Sequence, residues 1–159
     1  MGNSVQTGIE AAFQKIKHYC AYQERSHFEV KEKLYSLGLY KIQVETLLSR
    51  LIEENYLNEE RFAKQFARGK FGLKKWGRIK IKYELKLKKV SDANIKNALK
   101  EIGLEDYLAT LNKLAAGKWA AIGKENYIAR QSKTMNYLLQ KGYEATLAQQ
   151  AIKLITQKD

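Results

Sequence analysis

The chain predicts an all-α protein, three tandem three-helix repeats forming an elongated, curved array, and three observations carry that expectation. Among its 159 residues there is no proline, where average usage of about 5% would give roughly eight. Lys, Leu, Ala, Gln and Glu, all good helix formers, are abundant. An apolar spacing of i, i+3, i+4, i+7 at Val44, Leu47, Leu48 and Leu51 marks one buried helix face, and it returns at Ile95, Ala98, Leu99 and Ile102 and again at Ala148, Ala151, Ile152 and Ile155. Residues 33–39, 84–90 and 137–143, each a helix end running into a turn, precede these three stripes at matching distances. Such internal repetition is the mark of an array in which each unit buries its core against the next.

Punctuation signals place the elements in order. A helix near 9–23 ends before Glu24-Arg25, and Ser26 with Glu29 three residues on forms a capping box that starts the second helix, 27–37. Gly38 supplies the left-handed stop, and the third helix follows at 41–54. Asn58 caps the fourth, 59–72, and Ser91 the sixth, 92–102, with the fifth at 77–89 between them. Helices near 105–121, 125–141 and 144–157 complete the last unit, with Gly142 as its stop. The expected organisation is a flexible segment 1–8 followed by three units, 9–57, 58–103 and 104–159.

Charge is concentrated in the middle unit. Twelve Lys or Arg residues and one carboxylate, Glu84, lie between Arg61 and Lys89, an excess of eleven against a formal net charge of +12 for the whole chain. A field packed into so short a stretch attracts polyanions, whereas a soluble helix normally mixes both signs. At 100° per residue, Lys75, Arg78, Lys82, Lys86 and Lys89 fall in a stripe about 80° wide. Trp76, Ile79, Tyr83 and Leu87 flank it on one side and Ile81 and Leu85 on the other, so the helix is expected to pack against two neighbours. Arg61, Lys64 and Arg68 form a second row on the preceding helix, and Lys70 and Lys74 complete the candidate basic face. Trp76 is expected in the core, with stacking on a base as its alternative.

Several chemistries find no residue set. Cys20 is the single cysteine, so no intramolecular disulfide forms, and with the distant His18 and His27 it makes no metal pattern; it reads as a small buried apolar side chain. Gly69-Lys70-Phe71-Gly72 matches the G-x-x-G of the KH fold, yet that loop belongs among strands and this region reads helical. No P-loop lysine follows the glycines, and no nucleophile, acid–base pair or catalytic histidine is recognisable. No apolar run approaches the roughly 20 residues of a membrane span, Met1-Gly2 lacks the Ser or Thr of a myristoylation site because Gln6 stands there, and Met1 to Gly8 lacks the positive and apolar regions of a signal peptide. A cytoplasmic, monomeric, cofactor-free protein that is not an enzyme is the expectation.

Three groups of residues resemble the RecX family of RecA regulators. Tyr19, Gln23-Glu24-Arg25-Ser26, Val30 and Leu34 resemble its first-unit pattern; Tyr56-Leu57-Asn58-Glu59-Glu60-Arg61-Phe62-Ala63 with Gly77, Ile81, Glu84 and Leu85 resembles its middle unit; Lys141-Gly142-Tyr143 resembles the Arg-Gly-Phe turn of its last. The resemblance implies three three-helix units and a protein that docks along the groove of the RecA filament on DNA, hindering recombinase, ATPase and coprotease activities in DNA repair and the SOS response. Lys88-Lys89-Val90 replaces the family's Lys-Gly-hydrophobic turn, so that helix end is expected to differ in shape. A free-standing module with weak, sequence-tolerant affinity for single-stranded DNA is the alternative that the charge alone favours.

Overall fold

In the computed structural model the backbone of residues 2–157 and the side chains of residues 8–157 are described. These residues form α1 (Gly2–Tyr22), α2 (His27–Ser36), α3 (Lys41–Glu53), α4 (Glu59–Lys74), α5 (Arg78–Leu87), α6 (Asp92–Leu99), α7 (Leu104–Ile122), α8 (Tyr127–Gln140) and α9 (Ala145–Thr156), with no strand among them. The helices follow the expected order. α1 begins at Gly2 rather than near 9. α4 runs on to Lys74, which places Gly69 and Gly72 inside a helix.

Two compact units are distinguishable. One comprises residues up to Gln65 with Leu85–Lys96; the other comprises Phe66–Glu84 with Asn97 onward. In the first, α1 contributes Phe13, Ile16 and Cys20, α2 contributes Val30 and Leu34, and α3 contributes Val44, Leu47 and Leu51 to a single core closed by Leu57. Ser26 Oγ accepts from the Glu29 amide at 3.0 Å, so the expected cap starts α2. Arg61 Nε donates to Glu24 Oε1 at 2.5 Å, and its Nη1 donates to Asn55 Oδ1 at 3.1 Å, which ties the start of α4 to the α1–α2 and α3–α4 turns.

In the second unit the buried face of α7, Tyr107, Leu111, Ala115 and Trp119, meets Leu138 of α8 and Ala148, Ala151 and Ile152 of α9. The Tyr107 ring lies 5.1 Å from Tyr143 and 5.9 Å from Phe71. Gly77 and Gly142 bring two backbones together here: the Gly77 amide donates to Lys141 O at 2.8 Å and the Ile79 amide to Gly142 O at 2.9 Å. A Cβ on Gly77 would stand 2.3 Å from Gly142 C.

The repeated stripe is the core that the periodicity predicts, with a graded edge. Val44, Leu47, Leu51, Ile95, Ala98, Ile102, Ala148, Ala151 and Ile152 are buried. Leu48, Leu99 and Ile155 are half-buried, because they sit where the stripe turns toward solvent.

The α5–α6 turn corrects an expectation. Lys89 takes φ +62°, in the left-handed region where Gly38 (+87°) and Gly142 (+99°) stand in the other repeats. The Val90 amide returns to Leu85 O at 3.1 Å, as the Tyr143 amide returns to Leu138 O at 3.1 Å. The turn thus keeps its shape without glycine, at the cost of crowding a Cβ.

Candidate protein and polyanion interface

The expected five-residue stripe on the fifth helix is shorter in the structure. Lys75 (φ +59°) and Lys89 (φ +62°) are the left-handed residues that follow α4 and α5, so only Arg78, Lys82 and Lys86 lie on α5 itself. Sequence periodicity extrapolates a helix through its stop signals, and lysine is an uncommon residue in that conformation.

The ten predicted cations divide by what they touch. Arg61 is held by Glu24, Lys64 Nζ pairs with Glu60 at 2.9 Å, and Arg68 Nη1 lies 3.9 Å from Glu101. Arg78 Nη2 pairs with Glu144 at 2.6 Å, and its guanidinium lies 4.2 Å from the Tyr107 centroid. The Tyr107 hydroxyl bridges this group, accepting from the Arg78 amide at 3.0 Å and donating to Glu144 Oε1. Burial, reinforced by that bond to Glu144, pushes the Tyr107 phenol well above its usual range, and burial does the same at Tyr143, whose hydroxyl donates to Lys75 O at 2.8 Å. Arg78 therefore locks the fold.

Lys74, Lys82, Lys86 and Lys89 are exposed. Lys75 Nζ donates to the Gly72 carbonyl at 2.7 Å. Lys70 Nζ lies 5.0 Å from the Trp76 centroid, and Lys80, which the sequence reading left out, lies 4.6 Å from it. Trp76 packs edge-on against Phe66 at 6.5 Å and is half-buried, so it is neither a core anchor nor an open stacking platform.

The main departure lies beside the lysines of α5. Ile81 and Leu85 are fully buried, as expected. The opposite flank is largely open to solvent: Ile79 is 53% exposed, Tyr83 60% and Leu87 53%, with Leu73 before them at 86%. α5 thus presents an apolar row at i, i+4, i+8 next to Lys82 and Lys86, which is the pattern of an amphipathic helix that enters a groove on another protein. The row was visible in the sequence, but the pattern of one helix does not say which of its two apolar flanks finds a partner.

The remaining titratable groups fit structural roles. Burial raises the Cys20 thiol to about 11, which keeps it protonated and unreactive. Burial lowers the His27 imidazole below its usual value. Among the described residues no cluster of three or more His, Cys, Asp or Glu could hold a metal ion, and no helix is long and apolar enough to cross a membrane.

Comparison with known proteins places this geometry in a family. Residues 58–99 match the second three-helix domain of RecX and residues 105–152 the third. The chain is 28% identical over 143 residues to the regulatory protein RecX of Halalkalibacterium halodurans, covering 90% of this chain and 54% of that protein. It is 31% identical over 134 residues to the regulatory protein RecX of Clostridium perfringens strain 13, covering 82% and 62%. It therefore spans little more than half the length of curated relatives such as these. Its fold is similar to the crystal structure of RecX from Lactobacillus salivarius, with a TM-score of 0.86 and 22% identity over 95% of this chain and 98% of that one. A second RecX crystal structure aligns with a TM-score of 0.83 at 21% identity, covering 92% and 71%.

Proposed function

Since this chain belongs to the RecX family of regulatory proteins, we propose that it docks on the RecA recombinase filament and modulates, chiefly by inhibition, its recombinase, ATPase and coprotease activities in DNA repair. The observation that carries this reading is the α5 face, where exposed Ile79, Tyr83 and Leu87 run beside exposed Lys82 and Lys86. Phosphates need only the cations. Solvent-exposed isoleucine and leucine gain from burial against apolar protein surface, at about 25 cal/mol per Å², and the flanking ammonium groups suit an acidic rim around it.

The division into units 9–57, 58–103 and 104–159 belongs to the same proposal, and the family matches at 58–99 and 105–152 support its last two members. A monomer with several weak contact points along a filament gains affinity through high effective concentration. The mechanism needs no cofactor, metal or membrane, and it places the protein in the cytoplasm with its filament.

A second reading rests on the excess of eleven cations between Arg61 and Lys89: sequence-tolerant binding to single-stranded DNA, weakening steeply with salt. One experiment separates the two. RecA filaments are preformed on single-stranded DNA, the protein is added at substoichiometric amounts relative to RecA, and ATP hydrolysis is followed. Docking on the filament predicts inhibition at these amounts, which the triple variant Ile79→Ser, Tyr83→Ser, Leu87→Ser loses while keeping its affinity for free DNA. Inhibition that survives the triple variant, requires excess over DNA sites and is reproduced by an unrelated basic protein would reduce the effect to DNA competition.

A further inference from the structure

A groove in the second compact unit offers about 460 Å³. Its wall is one face of α7, with Thr110, Lys113, Leu114 and Lys118 at i, i+3, i+4 and i+8, and it is closed by Tyr137 of α8 and by Lys75 after α4. The volume lies within the range of about 300–1,000 Å³ common to small-ligand sites. No carboxylate lines it.

The cations here converge without counter-ions. Lys118 Nζ lies 5.1 Å from the Tyr137 ring centroid, and Lys141 Nζ lies 6.0 Å from the same ring. Lys141 also donates to Lys74 O at 3.2 Å and Lys75 to Gly72 O at 2.7 Å, both of them backbone carbonyls. None of Lys75, Lys113, Lys118 and Lys141 is in an ion pair with a carboxylate among the described residues. Elsewhere in this chain Arg61, Lys64, Arg78, Lys88 and Lys133 each take a carboxylate at 2.9 Å or less. Three ammonium groups, those of Lys75, Lys113 and Lys118, line one concavity and repel one another, and a bound anion reverses that term. Leu114 supplies an apolar wall, while the Thr110 and Tyr137 hydroxyls can donate to or accept from a ligand.

We propose that this groove binds a nucleotide through its phosphates, the lysines taking the anionic oxygens and the Leu114–Tyr137 wall taking the sugar and base. The ligand chemistry is the same for a nucleoside triphosphate and for one nucleotide of a single strand. Lysine suits this task as a compact point charge for phosphate. The groove is built from residues 109–118 and Tyr137 of the third repeat with Lys75 of the second, and it shares no residue with the α5 docking face.

The test uses the full chain and three probes: ATP without added metal, adenosine, and a short oligothymidine. Amide chemical shifts are followed during titration at low and moderate salt. The expected result is saturable binding of ATP, of the oligothymidine or of both, with shifts centred on residues 109–118 and Tyr137 and affinity falling as salt rises. Lys113→Glu with Lys118→Glu is expected to lower that affinity at least tenfold with the thermal melt unchanged, while Lys15→Ala with Lys41→Ala, at exposed positions outside both faces, leaves it within twofold. ATP binding alone assigns a free nucleotide; oligothymidine binding that displaces or exceeds ATP assigns a strand. The proposal is overturned if neither phosphate probe saturates, if adenosine binds as tightly as ATP, or if the charge-reversed variant retains wild-type affinity.

Discussion

Gly77→Ala tests the junction that seats α5 against the α8–α9 turn. The added Cβ would lie 2.3 Å from both Gly142 C and Gly142 O and 2.5 Å from the Tyr143 amide nitrogen, where ordinary contact begins near 3.4 Å. All three obstacles are backbone, so relief requires the two segments to part by about 1 Å. Parting stretches the Gly77 amide bond to Lys141 O (2.8 Å) and the Ile79 amide bond to Gly142 O (2.9 Å). Each such bond contributes about 0.5–1.5 kcal/mol net, and overpacking adds about 1–3 kcal/mol. The expected loss is about 2–6 kcal/mol, a large part of the roughly 5–15 kcal/mol that holds a domain folded. Equilibrium urea unfolding followed by circular dichroism measures it. Gly72→Ala is the matched control: it lies inside α4 with nothing within 4 Å of a new Cβ, so it is expected to stabilise by about 0.5–1 kcal/mol. A Gly77→Ala protein within about 1 kcal/mol of wild type, alongside a Gly72→Ala control that behaves as expected, would refute the close-approach argument.

The remaining predictions concern the turn, the core and pH. Lys89→Gly relieves a left-handed lysine (φ +62°) and is expected to raise stability by about 1 kcal/mol or slightly less after the added chain entropy; no gain in the urea midpoint would mean that the Cβ is accommodated without strain. Leu51→Ala removes a fully buried side chain and should cost about 2–5 kcal/mol, whereas Leu99→Ala, at a half-buried position, should cost distinctly less; equal losses would contradict the graded stripe. His27 has a depressed imidazole pKa from burial, so the unfolded chain takes up the proton first: its contribution is complete above the ordinary pKa of about 6.5 and is lost as pH falls through the lower folded value. The urea midpoint of the wild type should therefore drop more between pH 7.5 and 5.5 than that of His27→Gln, and parallel drops would exclude His27 as the source.

What the sequence by itself determined is everything that depends on the chain's own periodicity. The order of the helices, the Ser26 cap, the glycine stops and the thrice-repeated apolar stripe all follow from interactions within a few residues or from a face whose apolar character demands burial. The equivalence of Lys89 with Gly38 and Gly142 was also implicit in the alignment of the turns, although residue type argued for a different shape. Tertiary structure alone decided which charges remain available: Arg61 and Arg78 read as members of one basic face until Glu24 and Glu144, distant in sequence, take them as internal partners. It also decided that Ile81 and Leu85 are covered while Ile79, Tyr83 and Leu87 stay more than half exposed, and that Lys75, Lys113, Lys118 and Tyr137 share a groove. The physical reason is that helical periodicity is set by backbone geometry along one segment, whereas burial and charge pairing depend on which other segments arrive beside it.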